Sequence, residues 1–391
     1  MLAEIMHERW FRLPDPVKKG AHVAIIGGGI SGVTLKQHIV NAGYNVTLID
    51  KESQILSAAS GNPAAIIDPF VSIGDGNEKN FHLIAYRYAL QFYRSLGPDI
   101  FKPTSLIKLP KNSQEEKRFS KIAEHYNKEI LYFDDGRLIF PNSGLVIPKE
   151  IAQHDSCADH RLQNVKINRI DRTNEDKWSL FCDENTHILD VDVVILASAY
   201  GINEFLQSSH LELEKTAGQI SYIRSSETIN NIYCSEGYLT PTVNSLMGKV
   251  NIIGATFEKN SSLEISDQAH NDNLEKAPND LDQVEVIGGR RGIRAMSKDH
   301  LPIAGPLPVY DDYLTDYADI RHGPKHKEFP EPSYHKNLYI SAGLGARGFV
   351  TAPLLAKYIT AIINGNEKPF SDAISNALHP ARFIIRNLSK K

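Results

Sequence analysis

The sequence predicts an α/β protein that is organised around a Rossmann-type nucleotide-binding unit near its N-terminus. Three observations carry this prediction. A short apolar run at residues 23–26 stops at three consecutive glycines, and a helical pattern follows from Ser31 to Ala42. A second apolar run, at residues 46–49, ends in Asp50. The succession of strand, glycine-rich turn, helix, strand and acid is typical of a dinucleotide-binding unit.

The glycine-rich turn fits the pattern G-x-G-x-x-G with Gly27, Gly29 and Gly32. We expect Gly27 to permit the tight turn, Gly29 to let the backbone approach a pyrophosphate, and Gly32 to let the helix pack closely on the strand. The anion would lie on the unpaired N–H groups at the helix start. Asp50 follows about 20 residues later, where a carboxylate can accept a hydrogen bond from a ribose hydroxyl. The alternative is a glycine-rich turn without a ligand, which the complete context disfavours.

The composition is that of an ordinary soluble globular protein, and the 391 residues suffice for two domains. Hydrophobic residues make up 41% of the chain, and the formal net charge of −4 argues against a surface coated in basic residues. Cys157, Cys182 and Cys234 are far apart and form neither a zinc pattern nor a disulfide framework. We therefore expect a cytoplasmic protein without a metal. We also expect no signal peptide and no apolar run long enough to span a membrane.

The segment after the nucleotide-binding unit is predicted to contain a loop, helices and short strands. Small residues and Gly61 between Ser57 and Phe70 suggest backbone that lies close to a ligand, although a plain flexible loop fits the composition equally well. Apolar and aromatic spacing predicts a buried helix from Phe81 to Leu96. Further patterns predict short strands at 106–109, 131–133 and 138–140, a charged surface helix at 115–129, and a turn followed by a strand over 141–147.

The second half of the chain alternates strand patterns with polar segments. A nearly continuous apolar run from Val191 to Ala197 predicts a buried parallel strand. Three prolines predict a loop with little regular structure over residues 310–336. Other patterns predict strands at 165–170, 178–182 and 338–341, a strand-rich region at 218–257 and an apolar helix at 349–364. The chain is therefore expected to return to the nucleotide-binding domain twice.

These patterns divide the chain into a short preface and two interleaved domains. We expect residues 1–20 to form the preface. The nucleotide-binding domain is expected to comprise residues 21–75, 145–212 and 336–391, and a second, substrate-binding domain to comprise residues 76–144 and 213–335.

Several stretches together resemble the glycine oxidase and D-amino-acid oxidase class of flavoproteins. More narrowly, the chain resembles the oxidase half of the MnmC family, bifunctional enzymes that modify the wobble uridine of certain tRNAs. The matching stretches are ASGN (59–62), AGQIS (217–221), EGYLTP (236–241), GIRAMSKDHLPIAGPLP (292–308), GLGARGFVTAPLL (343–355) and ALHPARFIIRNL (377–388). The last three are long and unusual enough to make the resemblance specific.

The resemblance implies bound FAD and a Rossmann-type FAD-binding domain with an interleaved mixed-sheet substrate domain, as in D-amino-acid oxidase. It implies oxidation of 5-carboxymethylaminomethyluridine in tRNA to 5-aminomethyluridine, with release of glyoxylate. A methyltransferase domain or protein that uses S-adenosylmethionine is the implied partner for the next step. Two other functions remain open, namely a small-molecule amine oxidase acting on glycine, sarcosine or a D-amino acid, and a non-catalytic flavoprotein.

The substrate side chain would be an N-substituted glycine, whose carboxylate must be held while the adjacent carbon faces the flavin. A guanidinium can bind both carboxylate oxygens in one plane, and the resemblance gives this role to Arg294. The alternative for Arg294 is a structural ion pair. Tyr238 resembles a substrate-side tyrosine that donates a second hydrogen bond, with a core tyrosine as the alternative. No general base stands out, and Asp299 and His300 receive no chemical role.

The other cofactor contacts implied by the resemblance come from three stretches. The ASGN loop would border the flavin and its linker, and the second glycine-rich turn would bring backbone to the isoalloxazine, with a plain strand-to-helix turn as the alternative. The arginine in that second turn is a candidate for the ring edge or for tRNA phosphate, and a valine backbone for the adenine. The residues are Ser60, Gly61 and Asn62; Gly343, Gly345, Arg347 and Gly348; and Val165.

Two basic clusters are candidates for contacts with the phosphates of tRNA. A solvated charged surface is the alternative for both. Because a modified base must leave the anticodon stack to reach a flavin, we also expect a pocket that opens to a single-stranded loop. The clusters are Arg382, Arg386, Lys390 and Lys391 in the C-terminal tail, and Arg290, Arg291 and Arg294.

Overall fold

The structure, a computed structural model, describes residues 9–74, 76–154, 160–259, 262–277, 284–322 and 328–390. The first eight residues of the preface, Cys157 and Lys391 lie outside these ranges. Within the described part of the preface, a single 3-10 turn at Arg9–Phe11 is present, and it buries Trp10.

The described strands follow one another along the whole chain. In chain order they are His22–Ile26 (β1), Asn45–Ile49 (β2), Ala65–Ile66 (β3), Phe101–Lys108 (β4), Tyr132–Asp134 (β5), Arg137–Val146 (β6), Arg161–Leu162 (β7), Arg169–Arg172 (β8), Trp178–Phe181 (β9), His187–Val191 (β10), Val193–Leu196 (β11), Leu213–Arg224 (β12), Ile232–Cys234 (β13), Tyr238–Leu239 (β14), Val243–Ser245 (β15), Gly248–Gly254 (β16), Glu285–Ser297 (β17), Ile303–Pro308 (β18) and Tyr334–Ala342 (β19).

The described α-helices separate these strands or cover them. They are Ile30–Asn41 (α1), Asn77–Ser95 (α2), Ser113–Ala123 (α3), Pro148–His154 (α4), Asp267–Glu275 (α5), Tyr310–Asp316 (α6), Gly348–Asn364 (α7), Asp372–Leu378 (α8) and Arg382–Lys390 (α9).

The first sheet has the strand order β18-β19-β11-β1-β2-β7 among the described residues. Its strands run parallel except β18, which is antiparallel to β19. Side chains of β1 alternate between two apolar clusters, Val23 and Ile25 in one and Ala24 and Ile26 in the other. Both faces of the strand are therefore buried, which explains its continuous apolar sequence. The predicted fold class, an α/β protein with a Rossmann-type domain, is confirmed.

The carboxyl ends of the parallel strands meet at one edge of this sheet. The residues that follow β1, β2, β11 and β19 are Gly27, Asp50, Ala197 and Gly343. The chain leaves β1 for β2 on one side, while β11 lies on the other side of β1. This edge is thus the topological switch point where open α/β sheets bind ligands.

Helix α7 lies in the apolar core beside the first sheet. The stretch Gly345–Asn364 has the length and composition of a membrane-spanning helix, which corrects the expectation that no apolar run is that long. However, 72% of its most apolar window is buried inside the fold. Its side chains pack with those of α1 and α2 in one cluster, so its sequence is explained by its place in the core.

The second sheet is large and mixed, with the order β17-β12-β16-β14-β13-β4-β6-β3 among the described residues. Strand β15 pairs with β16, and β5 pairs with β6. Strand β13 is parallel to β4, while the other pairs are antiparallel. A small antiparallel sheet, β8-β9-β10, completes the described strands. The mixed second sheet is the architecture that the resemblance implied.

The structure corrects several predicted elements. Residues 141–147 do not begin with a turn, because β6 continues through Pro141 to Val146. The predicted strand at 165–170 is replaced by β7 and β8 on either side of a non-strand segment. The charged surface helix ends at Ala123, short of the predicted residue 129. The loop predicted for residues 310–336 begins with α6, whose Tyr313 is fully buried, and it ends inside β19.

Two segments lie elsewhere than the predicted domain boundaries place them. Strand β18 is hydrogen-bonded to β19 in the first sheet, although residues 213–335 were assigned to the substrate domain. Helix α2 packs with α7 in the apolar core beside the first sheet, although residues 76–144 were assigned to the substrate domain. The division into two domains otherwise stays a prediction.

Candidate active site

A cavity of about 540 Å³ lies between the switch-point edge of the first sheet and the large mixed sheet. One wall carries Gly29 and the turn Gly343–Gly348. The other wall carries Arg294 and Tyr238 from the mixed sheet and Phe257, which follows β16. The fold therefore brings the glycine-rich turns and the predicted substrate residues to one space, although they are distant in sequence.

The first glycine-rich turn is packed so tightly that two of its glycines cannot carry a side chain. Gly27 has φ 116°, and a Cβ there would approach the Ala197 backbone to 2.6 Å. A Cβ on Gly32 would collide with the carbonyl oxygen of Gly27. These two residues thus do the structural work predicted for them, bringing α1 against β1, and neither lines the cavity.

Gly29 differs from those two glycines because it faces the cavity. A Cβ on Gly29 would meet only the Ser60 hydroxyl, at an ordinary contact distance of 3.4 Å. The protein itself therefore leaves room for a side chain here. Gly29 also precedes the first turn of α1, whose N–H groups lack partners within the helix. An open glycine before a 12-residue helix fits a pyrophosphate that approaches the backbone.

Asp50 lies at the end of β2, as predicted, but its carboxylate turns toward the glycine-rich turn. One oxygen accepts from the N–H of Gly28, and the other accepts from the N–H of Glu52 at 2.7 Å. Burial raises the pKa of Asp50, and the two backbone hydrogen bonds oppose that shift. In this structure the carboxylate holds the turn, and its contact with a ribose stays a prediction.

The ASGN loop lies beside the start of α1. The Ser60 hydroxyl accepts from the N–H of Ile30 at 3.1 Å. Arg290 donates to Asn62 at 3.1 Å and to the carbonyls of Ser57 and Ala58. Ser60 and Asn62 line the cavity, whereas Gly61 does not.

Arg294 is the cation of the substrate-side wall. It projects from β17 across Gly218 of β12, where a Cβ would come within 2.5 Å of its Nη1 atom. The guanidinium lies over the ring of Phe257, 4.6 Å from the centroid, and donates to the Thr256 carbonyl at 3.4 Å. Burial lowers the pKa of Arg294, although Tyr238 opposes the shift.

No carboxylate of the described residues pairs with Arg294. Its hydrogen bond, ring contact and electrostatic neighbour are Thr256, Phe257 and Tyr238. The structural ion pair that was the alternative interpretation is therefore not found in the described part of the chain. Arg294 is partly buried. A cation withdrawn from water without an anionic partner is energetically costly, and an anionic ligand in the cavity would relieve that cost.

Tyr238 lies on β14, opposite Gly254 of β16, and lines the same cavity. Burial raises the pKa of Tyr238 to about 12, although the charge of Arg294 opposes the shift. The hydroxyl is therefore protonated at neutral pH and can donate a hydrogen bond. Within the described ranges it has no hydrogen-bond partner, so it is free to contact a ligand.

The second glycine-rich turn brings another helix start to the cavity. Gly343 and Gly345 have φ 70° and 59°, in the left-handed region that favours glycine. A Cβ on Gly348, the first residue of α7, would approach Ile30 of α1 to 3.3 Å. The first turns of α1 and α7 therefore converge on one space. Two helix N-termini at one site favour a ligand with negative charge.

Arg347 in this turn belongs to a polar cluster that sequence analysis missed. Asp68 pairs with Lys108 at 2.6 Å and with Arg347 at 3.4 Å, and all three line the cavity. Burial disfavours the charged carboxylate, but Lys108 and Arg347 outweigh this effect, so the pKa of Asp68 is below its ordinary value. Nearby, burial and the charge of Arg347 lower the pKa of His82 to about 4. The cluster thus keeps two cations in the cavity wall.

Val165 does not line the cavity. Its N–H donates to the carbonyl of Asp50 at 3.0 Å, and its side chain is partly buried beside the second apolar cluster. Only the carbonyl remains available for the predicted contact with adenine. That contact stays a prediction.

Most arginines of the two predicted tRNA-binding clusters have protein partners, whereas Lys390 is exposed, and a contact of either cluster with tRNA stays a prediction. Arg382 is buried and donates to both oxygens of Asp299 at 2.9 Å, and Arg386 contacts the same carboxylate at 3.4 Å. Arg291 is buried and pairs with Glu258 at 2.6 Å. With Arg290 bonded to the ASGN loop, most of these arginines hold protein segments together. The sequence could not show this, because the partners lie in distant segments.

Two further cavity residues escaped sequence analysis. Phe257 is 61% exposed and follows β16, where the apolar pattern gave no reason to separate it from a core aromatic. Arg118 lies on α3 in a run of charges typical of a solvated helix face. A short-range pattern cannot reveal that both residues border the same cavity.

Comparison with known proteins agrees with this architecture. The family model described as FAD dependent oxidoreductase (DAO) matches residues 22–362. The glycine oxidase of Geobacillus kaustophilus superposes with a TM-score of 0.69 at 17% identity, covering 93% of this chain and 99% of that one. The iminodiacetate oxidase of Chelativorans sp. BNC1 superposes with a TM-score of 0.68 at 16% identity, covering 89% and 97%. These structural matches show a shared fold.

Curated relatives match nearly the whole chain. It is 28% identical, over 98% of its length, to the tRNA 5-methylaminomethyl-2-thiouridine biosynthesis bifunctional protein MnmC of Chromobacterium violaceum. The corresponding protein of Pseudomonas savastanoi pv. phaseolicola is 27% identical over 97% of the chain. The alignments cover 62% and 61% of those proteins, so the chain spans about three fifths of their length. The resemblance that the motifs indicated is confirmed, and by the match over residues 22–362 the chain belongs to the DAO family of FAD-dependent oxidoreductases.

Proposed function

We propose that the chain oxidises 5-carboxymethylaminomethyluridine at the wobble position of tRNA to 5-aminomethyluridine and releases glyoxylate. The names of the curated relatives support this choice of substrate. The single observation that carries the proposal is Arg294, a guanidinium without a carboxylate partner in the described part of the chain. It lines the same cavity as both glycine-rich turns. The substrate side chain ends in the carboxylate that this site lacks.

The chain's own residues bind and orient the substrate in this proposal. Arg294 holds the carboxylate through both oxygens, which places the adjacent carbon toward the cofactor. The protonated hydroxyl of Tyr238 donates a second hydrogen bond to the carboxylate. Neither residue needs to transfer a proton, since hydride leaves most readily from the neutral amine and the site has only to favour that form.

Bound FAD would supply the acceptor for the hydride that leaves the carbon between the amine and the carboxylate. The substrate becomes an imine, and water then cleaves its carbon–nitrogen double bond into glyoxylate and the primary amine. We assign the cofactor to Gly29, Ser60, Asn62 and the turn of residues 343–348, which border the cavity. Gly27, Gly32 and Asp50 act one step further away by shaping the first turn. Gly61 is proposed to shape the ASGN loop, because a Cβ at this position would approach the Ser57 carbonyl to 2.6 Å.

Arg118 is the side chain that we propose for contact with tRNA phosphate. It is exposed on α3, lines the cavity, and has no ion pair or hydrogen bond among the described residues. Lys117 and Lys121 on the same helix are also without such partners in the described ranges. Free cations at and near the rim of a cavity attract a polyanionic substrate.

A methyltransferase that uses S-adenosylmethionine is the partner we propose for the product amine. The relatives are named bifunctional proteins, and the chain spans about three fifths of their length. The second activity of such a protein would act on the primary amine that the proposed oxidation leaves on the tRNA.

The test is incubation of the purified, FAD-loaded protein with tRNA that carries 5-carboxymethylaminomethyluridine, followed by mass spectrometry of the digested nucleosides. Wild-type protein should produce 5-aminomethyluridine, and Arg294→Ala should lower the rate at least about 100-fold, because the carboxylate loses a paired, charge-assisted anchor. Arg294→Lys is the matched variant, since it keeps the charge and loses the bidentate geometry.

If the loaded wild-type protein leaves the tRNA unconverted but reduces its flavin with glycine or sarcosine, the chain is a small-molecule amine oxidase. If no substrate reduces the flavin, the chain is a non-catalytic flavoprotein.

A further inference from the structure

Phe257 occupies an unusual position among the exposed apolar side chains. Single exposed apolar residues are ordinary on protein surfaces, so the 61% exposure of Phe257 does not by itself indicate a binding site. Phe257, however, lines the cavity and its ring lies beneath the guanidinium of Arg294. An exposed, flat aromatic surface therefore begins where the proposed carboxylate anchor sits.

The backbone holds this ring in place. Before Phe257, Thr256 donates its N–H to the Gln219 carbonyl at 3.1 Å and accepts from the Gln219 N–H through its hydroxyl at 2.9 Å. After it, Glu258 exchanges two backbone hydrogen bonds of 2.9 Å with Ala217. Both neighbours of Phe257 are thus tied to β12. The side chain is presented from a fixed strand-like support, so little ordering is needed when a ligand stacks on it.

We infer that Phe257 is the stacking platform for the uracil base of the substrate nucleotide. This inference rests on the proposed function. A short side chain links the base to the carboxylate that Arg294 binds, so a ring in contact with Arg294 is within reach of the base. Proteins recognise unstacked RNA bases by stacking them on aromatic side chains and arginine planes. In the Arg294–Phe257 pair, the guanidinium binds the carboxylate and the aromatic ring stacks on the base.

Stacking on Phe257 would also separate a nucleotide substrate from a free amino acid. Glycine and sarcosine possess no flat ring, so they gain nothing from this residue. A modified uridine gains the stacking energy, which corresponds to roughly 5- to 150-fold in affinity for one base. Phe257 would then be a specificity-determining residue for the proposed reaction.

The test measures binding of anticodon stem-loop RNA by fluorescence anisotropy. One RNA carries an unmodified uridine at the wobble position and the other carries an abasic nucleotide there. Neither RNA has the carboxylate, so a displaced Arg294 cannot imitate the effect. Phe257→Ala should weaken binding of the uridine RNA about 5- to 150-fold. Its affinity for the abasic RNA should stay within about twofold of the wild-type value.

Matched variants identify the cause of any loss. Phe257→Tyr keeps a flat ring and should bind like wild type, whereas Phe257→Leu keeps apolar volume without the ring and should resemble Phe257→Ala. Leu246→Ala removes a fully exposed apolar side chain that does not line the cavity. It should leave the affinity for both RNAs unchanged.

Two results would overturn the inference. Equal weakening of both RNAs by Phe257→Ala would mean that the ring supports the RNA or another protein surface without touching the base. If Phe257→Ala keeps kcat/KM on modified tRNA within twofold of wild type, the Phe257 ring plays no part in recognising the substrate. Both results leave the proposed function standing if wild type converts the tRNA. If wild type fails to convert it, the proposed function and this inference fall together.

Discussion

Gly218 lies directly against the guanidinium of Arg294, so that a Cβ at Gly218 would come within 2.5 Å of Nη1 and 2.7 Å of Cζ. Gly218 is paired with Gly292 across β12 and β17, and Arg294 follows two residues later on the same strand. The absence of a side chain at Gly218 therefore decides where the proposed carboxylate anchor can lie.

We predict that Gly218→Ala displaces Arg294 without removing it. The arginine tip is flexible, so the fold should tolerate the added methyl group, whereas the guanidinium must shift away from its present position. Misplacement of an anchoring group by about 1 Å can cost as much as 100-fold in rate. Steady-state kinetics on modified tRNA should show a fall in kcat/KM of about 10- to 100-fold.

Gly74→Ala is the matched control for this variant, because a Cβ there meets nothing within 4 Å. It should leave kcat/KM within about twofold of wild type. Unchanged kinetics for Gly218→Ala as well would show that the position of Arg294 over Gly218 is irrelevant to the reaction.

Arg118 offers a second prediction, which concerns salt rather than chemistry. Replacing an arginine that contacts a phosphate removes about one released counterion, so Arg118→Gln should reduce the slope of log Kd against log salt by roughly 0.7 for a single-stranded loop. The loss of affinity should be similar for stem-loops of different sequence, since phosphate contacts carry no sequence information.

Arg87→Gln provides the comparison, as Arg87 is also exposed but lies on α2 and does not line the cavity. We expect its salt dependence to match that of wild type. If both variants shift the slope alike, the attraction comes from the overall charge of the surface and Arg118 has no specific place in it.

Local patterns predicted the parts of this site that are built from consecutive residues. The turn at Gly27, Gly29 and Gly32 was recognisable because its steric demands fall within a few residues of one another. The predicted strands at β1, β2, β9 and β11 were recognisable because burial on a sheet leaves a direct apolar signature. The helix from Asn77 to Ser95 likewise matches the predicted helix from Phe81 to Leu96 within a few residues.

The missed elements have physical reasons. Strand β18 contains Pro306 and Pro308, which cannot donate a backbone hydrogen bond to a neighbouring strand. Such residues are tolerated because β18 is one of the two edge strands of its sheet among the described residues. Helix α6 was missed because the loop prediction for residues 310–336 rested on three prolines. All three follow the helix in the chain and therefore do not interrupt it. Phe257 and Arg118 gave no signal, since only the packing of distant strands and helices brings them to one cavity.

A third prediction follows from the ion pair between Asp299 and Arg382. Arg382 is buried, and Asp299 accepts two hydrogen bonds of 2.9 Å from it. Asp299→Asn leaves the guanidinium buried without its countercharge, which costs about 3 kcal/mol in similar cases. Urea unfolding of the apoprotein at pH 7 should show this loss in the free energy of unfolding.

The pH dependence of this effect has a definite sign. Burial opposes ionisation of Asp299, but the hydrogen bonds and charge of Arg382 outweigh it, so the pKa of Asp299 is lowered. The stabilisation is therefore present above the unfolded-state pKa of about 4 and disappears as the pH falls through the folded-state pKa. The difference between wild type and Asp299→Asn should shrink on acidification. Asp176→Asn, which disrupts exposed ion pairs with Arg172 and Lys336, should change stability much less at every pH.

Gly29 permits a test that separates a structural glycine from one required by a ligand. A Cβ at Gly29 would make an ordinary contact with the Ser60 hydroxyl, whereas a Cβ at Gly32 would collide with the Gly27 backbone. Gly29→Ala should therefore fold like wild type as apoprotein but bind FAD about tenfold or more weakly, because the methyl group enters the space proposed for the pyrophosphate. Gly32→Ala should lower the melting temperature of the apoprotein itself.

The flavin-to-protein absorbance ratio reports cofactor binding, and circular dichroism of the apoproteins reports the melting temperatures. Two variants of the same turn, with the same added methyl group, should thus differ in which property they lose. A Gly29→Ala protein that binds FAD like wild type would place the pyrophosphate elsewhere along the cavity. A Gly29→Ala apoprotein as unstable as Gly32→Ala would mean that the glycine serves the fold, and the open space beside Ser60 would then say nothing about a ligand.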